Sequence, residues 1–361
     1  MSTPRVILQE LPSGRILDWA VPLREADVTA ALSGPGGLAG ALPEGYVLPV
    51  REWGAALWVE DSGTFHGGGI VTTVEHQDRS IRVGCVGLTG YAQDMPWLAK
   101  REDLIKVDPL NIVRKIWAHL QGQQGGNLHL TVDDTTSTVR VGEEEGEVEF
   151  TTSEGEEVRF EVGPFRLNPI DTQDLAKTID DLAADTPFDY RVRTFWEGDA
   201  IRHRLELGYP HLGIRRTGLQ LDTRTNLIVL PTLGFNDEDY ASEVLMIGAG
   251  EGRKAVTAHV PSTPERLRRV AVLADKSIRT KNAATRAARE ELSQRTFEGT
   301  VSSVVVVDSP AAPLAEIAPG DTVRLTGPLA TGAQLDHWVR VVEMTRALDD
   351  FDRAELTVIP A

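Results

Sequence analysis

The sequence is short of cysteine, aromatics, long apolar runs and cationic side chains. Among 361 residues there is one cysteine, Cys85, which excludes an internal disulfide framework and any Cys-rich zinc or iron–sulfur site. No stretch approaches the roughly 18 consecutive apolar residues that mark a membrane-spanning helix. Val6-Ile7-Leu8, the only apolar run near the start, is too short for a secretory signal. Lys and Arg number 37 against 54 Asp and Glu, a net charge of −17. So acidic a chain repels phosphates, which argues against specific nucleic-acid binding and against anionic membranes. Aromatics are 6% of residues, yet apolar residues reach 41% and charged ones stay at 25%, so cores can form and disorder is not expected. The length suits two or three domains. The expectation is a soluble, multi-domain protein made in a reducing compartment.

Enzyme signatures are scarce too. The eight histidines (His66, His76, His119, His129, His203, His211, His259, His337) include no pair at the i, i+4 spacing that lets two imidazoles reach one zinc ion from a helix. There is no Gly-x-Ser-x-Gly elbow. Cys85 lies in the apolar run Val83-Gly84-Cys85-Val86-Gly87 and reads as a small core residue. Gly34-x-Gly36-x-x-Ala39 mimics a dinucleotide loop without a strand before it. Gly248-Ala249-Gly250-Glu251-Gly252-Arg253-Lys254 mimics a phosphate loop with Ala255 where Ser or Thr is needed. Both read as turns at domain junctions. The Glu143–Glu147 cluster sits in a polar, Gly-containing turn, where solvation leaves carboxylates untuned for acid catalysis. No catalytic residue, cofactor or metal site is expected.

What is present is a dense β pattern. With 33 Gly and 20 Pro, many apolar stretches are short, alternating and bounded by turn residues. Strands are predicted at Val47–Pro49, Ala55–Val59, Gly69–Glu75 and Ile81–Val86. Further strands are predicted at Leu128–Val132, Thr138–Val141, Val148–Thr152 and Val158–Val162, and a hairpin at Tyr190–Trp196 and Ala200–Leu207 around Glu197-Gly198-Asp199. Leu219–Asp222, Leu227–Pro231, Glu243–Gly248, Gly299–Val307, Thr322–Thr326, Trp338–Met344 and Ala354–Ile359 complete the set. Asp108-Pro109 predicts an N-cap and first turn for an amphipathic helix over Pro109–Gln121. Asp171 is expected to cap a second helix through Leu182. Thr263-Pro264-Glu265, with Leu267, Val270 and Leu273 at helical spacing, predicts a third, and Thr280–Arg295 a fourth.

The two ends echo each other. Ala55–Val59, Gly69–His76 and Ser80–Val86 repeat in order and spacing as Thr322–Thr326, His337–Thr345 and Arg353–Ile359, with a charged turn before the last strand each time and negligible identity. β-meanders resemble one another in general, so two readings stand: an ordinary meander at each end, or two similar small β-barrels. Charge is also segregated. Arg253–Arg295 holds 11 Lys or Arg and 4 Asp or Glu, a net of +7, leaving −24 on the rest of the chain. Val141–Glu161 holds 9 Glu and 1 Arg. Such runs are either solvated faces or steering surfaces for another subunit.

Several stretches, taken in order, resemble the hub (minor tail) proteins of long-tailed bacteriophages. They are Gly69–Gly90 with Tyr91, Asp108–Gln121, Thr186–Gly213, Val244–Arg253, the Arg/Ala-rich helices to Arg295, and Pro319-Gly320-Asp321-Thr322-Val323. The chain is similar in these to the N-terminal hub part of siphophage tail-associated proteins and to the trimeric baseplate hub of contractile-tail phages. The resemblance implies an α+β, β-dominated fold with two similar small β-barrels, an α+β middle domain and an inserted helical segment. The corresponding domains are residues 1–100, 101–215 and 216–361, the insertion lying at about 262–296. It implies a non-enzymatic virion structural protein at the tail tip, present in the host cytoplasm during assembly. Three chains would form a quasi-sixfold ring joining the hexameric tail tube or distal tail ring to the threefold tip. Its partners would be the homotrimer, the distal tail or tail tube protein, the tape measure protein and other tail-tip proteins, with DNA only in transit. The chain ends just past its last strand, so any hydrolase or fibre is expected on another polypeptide. Part of the negative charge is expected to line the channel, and Arg266, Arg268, Arg269, Arg286 and Arg289 to meet an acidic neighbour. The alternative is a carbohydrate- or receptor-binding tail-tip module using Trp and Tyr, and a more distant one a cell-wall hydrolase. Trp53, Trp58, Trp97, Trp117, Trp196 and Trp338 have mostly apolar neighbours, which favours core over sugar platform.

Overall fold

The structure is a computed structural model. It describes all residues except 1–3, 50, 78–79, 152–156, 230–239, 251–254, 263–266, 276–277, 279–280, 296–300 and 330–331.

The first unit contains β1 (Arg5–Glu10), β2 (Ile16–Asp18), β3 (Arg24–Ala31), β4 (Gly37–Pro43), β5 (Ala55–Asp61), β6 (Thr64–Gln77) and β7 (Ser80–Val86). In β1 and β5 consecutive residues are buried, because both faces of the sheet are covered. Val6, Leu8, Ala55, Leu57 and Val59 point into the unit's own core. Ile7, Ala56 and Trp58, the alternate positions, point out into a second core shared with the middle region.

The middle region holds β8 (Glu102–Leu104), α1 (Pro109–Gly122), β9 (Leu130–Val132), the hairpin β10 (Gly146–Thr151) and β11 (Glu157–Val162), and β12 (Phe165–Leu167). Then come α2 (Leu175–Asp185), β13 (Asp189–Glu197) and β14 (Ala200–Gly208). Asp108 caps α1 as its sequence predicts, accepting from the Leu110 N–H at 3.0 Å, and also ties down Ser137. The buried face Leu110, Ile112, Val113, Ile116, Trp117 and Leu120 carries the expected helical period. The cap of α2 is Asp174, not Asp171. Asp171 instead accepts from Asn168 Nδ2 in the preceding turn, which delays the helix by one turn.

The second unit contains β15 (Arg215–Asp222), β16 (Leu227–Val229), β20 (Ser303–Val307), β21 (Thr322–Pro328), β22 (Gln334–Ala347) and β23 (Arg353–Pro360). Between β16 and β20 the chain inserts β17 (Glu243–Ile247), β18 (Thr257–Pro261), β19 (Val270–Ala274) and α3 (Lys281–Arg295). The insertion corrects one expectation: Val270–Ala274 is a strand, parallel to β17, not a helix. Alternating Val-Ala-Val-Leu-Ala fits a pleat as well as a helical turn, and pairing with β17 decides between them. The proposed start of that helix lies outside the described residues. Ala271 and Leu273 then pack under α3, whose Ala284, Ala288 and Leu292 close a small core of insertion residues.

Two further expectations change. Val47–Pro49 has no regular structure, and Thr138–Val141 contributes only an isolated bridge, Val141 to Val107. Gly34–Ala39, read as a turn, runs into β4 from Gly37 onward, where small residues let the backbone approach β7 and β3.

The echo between the ends extends to topology. In each unit the path across the sheet visits its six main strands in chain order second, third, sixth, fifth, fourth, first. That is β3-β4-β7-β6-β5-β1 in the first and β16-β20-β23-β22-β21-β15 in the second. The long strands β6 and β22 have 14 residues each, and β5 and β21 have seven. Each long strand is bulged at its ninth residue, Thr72 or Val342. The carbonyl just before each bulge accepts from the loop ahead of the seven-residue strand, Val71 from Trp53 at 2.8 Å and Val341 from Gly320 at 2.7 Å. One ladder differs, since β15 runs parallel to β21 while β1 runs antiparallel to β5.

The barrels themselves need correction. Among the described residues no ladder closes either unit, and both belong to one 13-stranded sheet. The reason is visible at β3. A strand has two edges, and β3 gives one to β4 and the other to β22 of the second unit, leaving none to close its own sheet.

Candidate assembly interface

Two stretches carrying the family resemblance meet at the seam between the middle region and the second unit. Asp321, of the Pro-Gly-Asp turn, is 1% exposed. It accepts from the Ile214 N–H and from Arg216 Nε, both at 2.9 Å, and from the Ala318 N–H at 3.2 Å. Its neighbour Gly320 has φ +102° and faces Gly213, φ +98°, backbone against backbone. A Cβ on Gly213 would stand 2.2 Å from the Gly320 carbonyl carbon. Arg340 donates to Asp189 of β13 and to the Leu212 carbonyl. Arg191 donates to Glu206 and to the Pro319 carbonyl. These charge-assisted bonds fix how the two halves of the chain are disposed.

The second junction is the β22–β3 ladder, five residue pairs from Glu343↔Ala31 to Ala347↔Asp27. Thr29 and Thr345 share a hydroxyl hydrogen bond of 2.9 Å across it. Beyond the ladder, Phe351 enters the core of the first unit. Arg346 lies 3.6 Å over its ring, and the His66 ring meets its edge at 4.9 Å. Burial, with Arg346 beside it, pushes the His66 pKa down to about 4, so the imidazole is neutral at ordinary pH. A cleft of about 480 Å³ runs along this junction. Two of its lining cations are engaged, Arg191 by Glu206 and Arg346 by the Phe351 carbonyl.

The five arginines expected at a partner surface separate on inspection. Arg266 lies outside the described residues. Arg268 is spent inside the insertion, where its guanidinium grips both oxygens of Glu243 at 2.5 and 2.8 Å, and His259 Nε2 approaches the same carboxylate at 2.7 Å. These bonds, Arg268 first, hold the Glu243 pKa down to about 2. Arg269 is exposed, and its backbone joins β19 to Ser242. Arg286 and Arg289, three residues apart on α3, stand on the face opposite Ala284 and Ala288 and are exposed. Among the described members of the five, Arg286 and Arg289 are an exposed pair on one helix. The acidic turn is exposed at Glu143, Glu144, Glu145 and Glu147, with Glu145 paired to Arg166.

Cys85 is partly buried, and that burial pushes its thiol up to about 12, which suits a small core residue. Trp58, Trp97 and Trp117 are core residues, as expected. Trp53 is not. It stands 54% exposed in a turn, touching Tyr91, because the chain reverses there before β5. Trp19, with Trp196 stacked on it at 5.9 Å, is likewise half exposed. Among the described residues no three His, Cys, Asp or Glu side chains converge to hold a metal.

No family model and no curated protein matches the sequence. Solved structures do match over nearly its whole length. A 43 kDa tail protein of prophage MuSo2 from Shewanella oneidensis aligns at TM-score 0.62 and 13% identity, covering 98% of both chains. A tail protein from Neisseria meningitidis MC58 aligns at 0.58 and 13%, covering 99% of this chain and 96% of the other. The prophage tail protein gp18 from Listeria monocytogenes EGD-e aligns at 0.59 and 11%, covering 98% and 94%. At such identities the likeness is one of architecture, and it embraces both units, the middle region and the insertion: the chain has the fold of these phage tail proteins.

Proposed function

We propose that the protein is a structural hub of a phage tail tip. Three copies form a ring of six similar β units around a channel that passes the tape measure protein and DNA. The ring joins the hexameric tail tube or distal tail ring to the threefold tip. One observation carries this reading: each chain holds two units with the same strand path and the same bulge position. A chain with duplicated units can satisfy threefold and sixfold neighbours together. The net charge of −17 suits the channel, since negative walls repel phosphates and let DNA pass. The proposed role is mechanical, and no step of catalysis is assigned to the chain.

The test is the mass of the purified protein in solution, alone and with its distal tail partner, followed by electron microscopy of the complex. A trimeric ring with six peripheral lobes is the expected result. A monomer in both conditions, or a ring of another order, sinks the proposal.

A further inference from the structure

The junction inside the chain has a counterpart that the chain leaves empty. In β22 the residues before the bulge pair with β21, and on that same side the residues after it pair with β3 of the other unit. In β6 the residues before the bulge pair with β5 up to Ile70. After it, among the described residues, no strand occupies the same side. The contrast appears in burial. Met344 and Arg346 are buried beneath the junction, whereas their positional counterparts Val74 and His76 are half-buried and exposed. Thr73 and Glu75 are exposed as well.

Among the described residues no strand pairs with the receiving edge either. β3 is the second strand of its unit, and it accepts β22 on the side away from β4. β16 is the second strand of its own unit, and among the described residues its only ladder is with β20. Its outward residue Ile228 is 45% exposed. The donor edge on the first unit and the acceptor edge on the second do not pair with each other within the chain among the described residues. They can meet between copies.

We propose that the edge of β6 after its bulge, Thr73–Gln77, pairs with the outer edge of β16, Leu227–Val229, of a second copy of this chain. This contact repeats between chains what β22 and β3 do within one. It is heterologous, head to tail, so it propagates around a ring and closes when every edge is used. β-Branched Thr73 and Val74 suit strand addition, and pairing an otherwise exposed edge removes a template for open-ended association. The contact rests on the trimer reading and specifies which surfaces make it.

The test uses the full chain and two exposed substitutions, Ile228→Lys and Thr73→Pro, each made singly. Oligomeric mass is measured by native mass spectrometry, and amide hydrogen exchange is followed at residues 73–77. The proposal expects slow exchange there in the wild-type trimer, a threefold loss of mass in Ile228→Lys, and fast exchange at residues 73–77 in that variant. The monomeric variant should keep the wild-type far-ultraviolet circular dichroism. Thr73→Pro guards against a local effect of the lysine, since it attacks the same contact from the opposite side. A wild-type trimer that survives both substitutions, or that exchanges quickly at residues 73–77, overturns the edge pairing and leaves the trimer standing. A wild-type protein that never trimerises overturns the trimer reading itself.

Discussion

At the scale of single residues, the chain spends its charges locally more than its sequence suggests. Arg268 reads as part of a basic surface because it belongs to a run of net +7. Its actual partner, Glu243, lies 25 residues earlier, and no periodicity connects the two. The pair has a pH signature. Arg268 depresses the folded-state pKa of Glu243 from 4.5 to about 2. A depressed carboxylate stabilises the fold fully above its unfolded pKa, and that contribution disappears as pH falls through the folded value. Arg268→Ala should therefore exchange faster than wild type in β17 and β18 at neutral pH. The gap should narrow between pH 4.5 and about 2, where Glu243 takes up its proton. A gap of unchanged size at the acid end would mean that Arg268 acts by packing rather than by charge.

Elements were legible where local signals agree with tertiary contacts. α1 is an example, since its N-cap, its Pro at the first position and its apolar stripe all point one way. The β13–β14 hairpin is another, with its turn at Gly198, φ +59°. β3 and β4 carry little strand signal for a physical reason. Their sequences, READVTAA and GLAGALP, alternate weakly, and their strand state depends on neighbours from distant parts of the chain. β19 is ambiguous in sequence because its spacing satisfies both periods. The junction was legible only as an echo: strand order and turn placement repeat, but the shared bulge and the β22–β3 ladder require the fold. The short turn after β22 is the element that locks this junction, because it delivers Phe351, 6% exposed, into the first unit's core. Removing a buried phenyl ring costs about 3–5 kcal/mol. Phe351→Ala should lose roughly that much in denaturant unfolding. If the turn is the lock, the loss will fall on both units together, as a lower midpoint with the slope retained. A second transition appearing at lower denaturant would instead show that the units unfold independently.

On the scale of the whole molecule, the duplicated sheet and the insertion obey separate logics. The sheet halves share the β22–β3 ladder, the buried Phe351 and the Arg346–His66 contact, so neither is expected to fold well without the other. The insertion has its own small core, built among the described residues entirely from positions 244–292. It leaves the second unit after β16 and returns at β20, two strands that pair with each other. Replacing residues 230–300 by a short Gly/Asn turn would convert that excursion into a plain hairpin. The shortened chain should keep the far-ultraviolet spectrum of a β-rich protein and its trimeric mass, because the proposed chain-to-chain edge lies on β6 and β16. What it should lose is the basic face of Arg286 and Arg289. Binding to an acidic tail partner should weaken in the deletion, and in Arg286→Glu with Arg289→Glu, with a salt dependence that the wild type shows and the variants lack. If the double reversal binds as tightly as wild type, α3 presents a solvated face and the insertion serves some other end. If the deletion alone abolishes the trimer, the insertion belongs to the ring contact, and the separation of a load-carrying sheet from an appended recognition element fails.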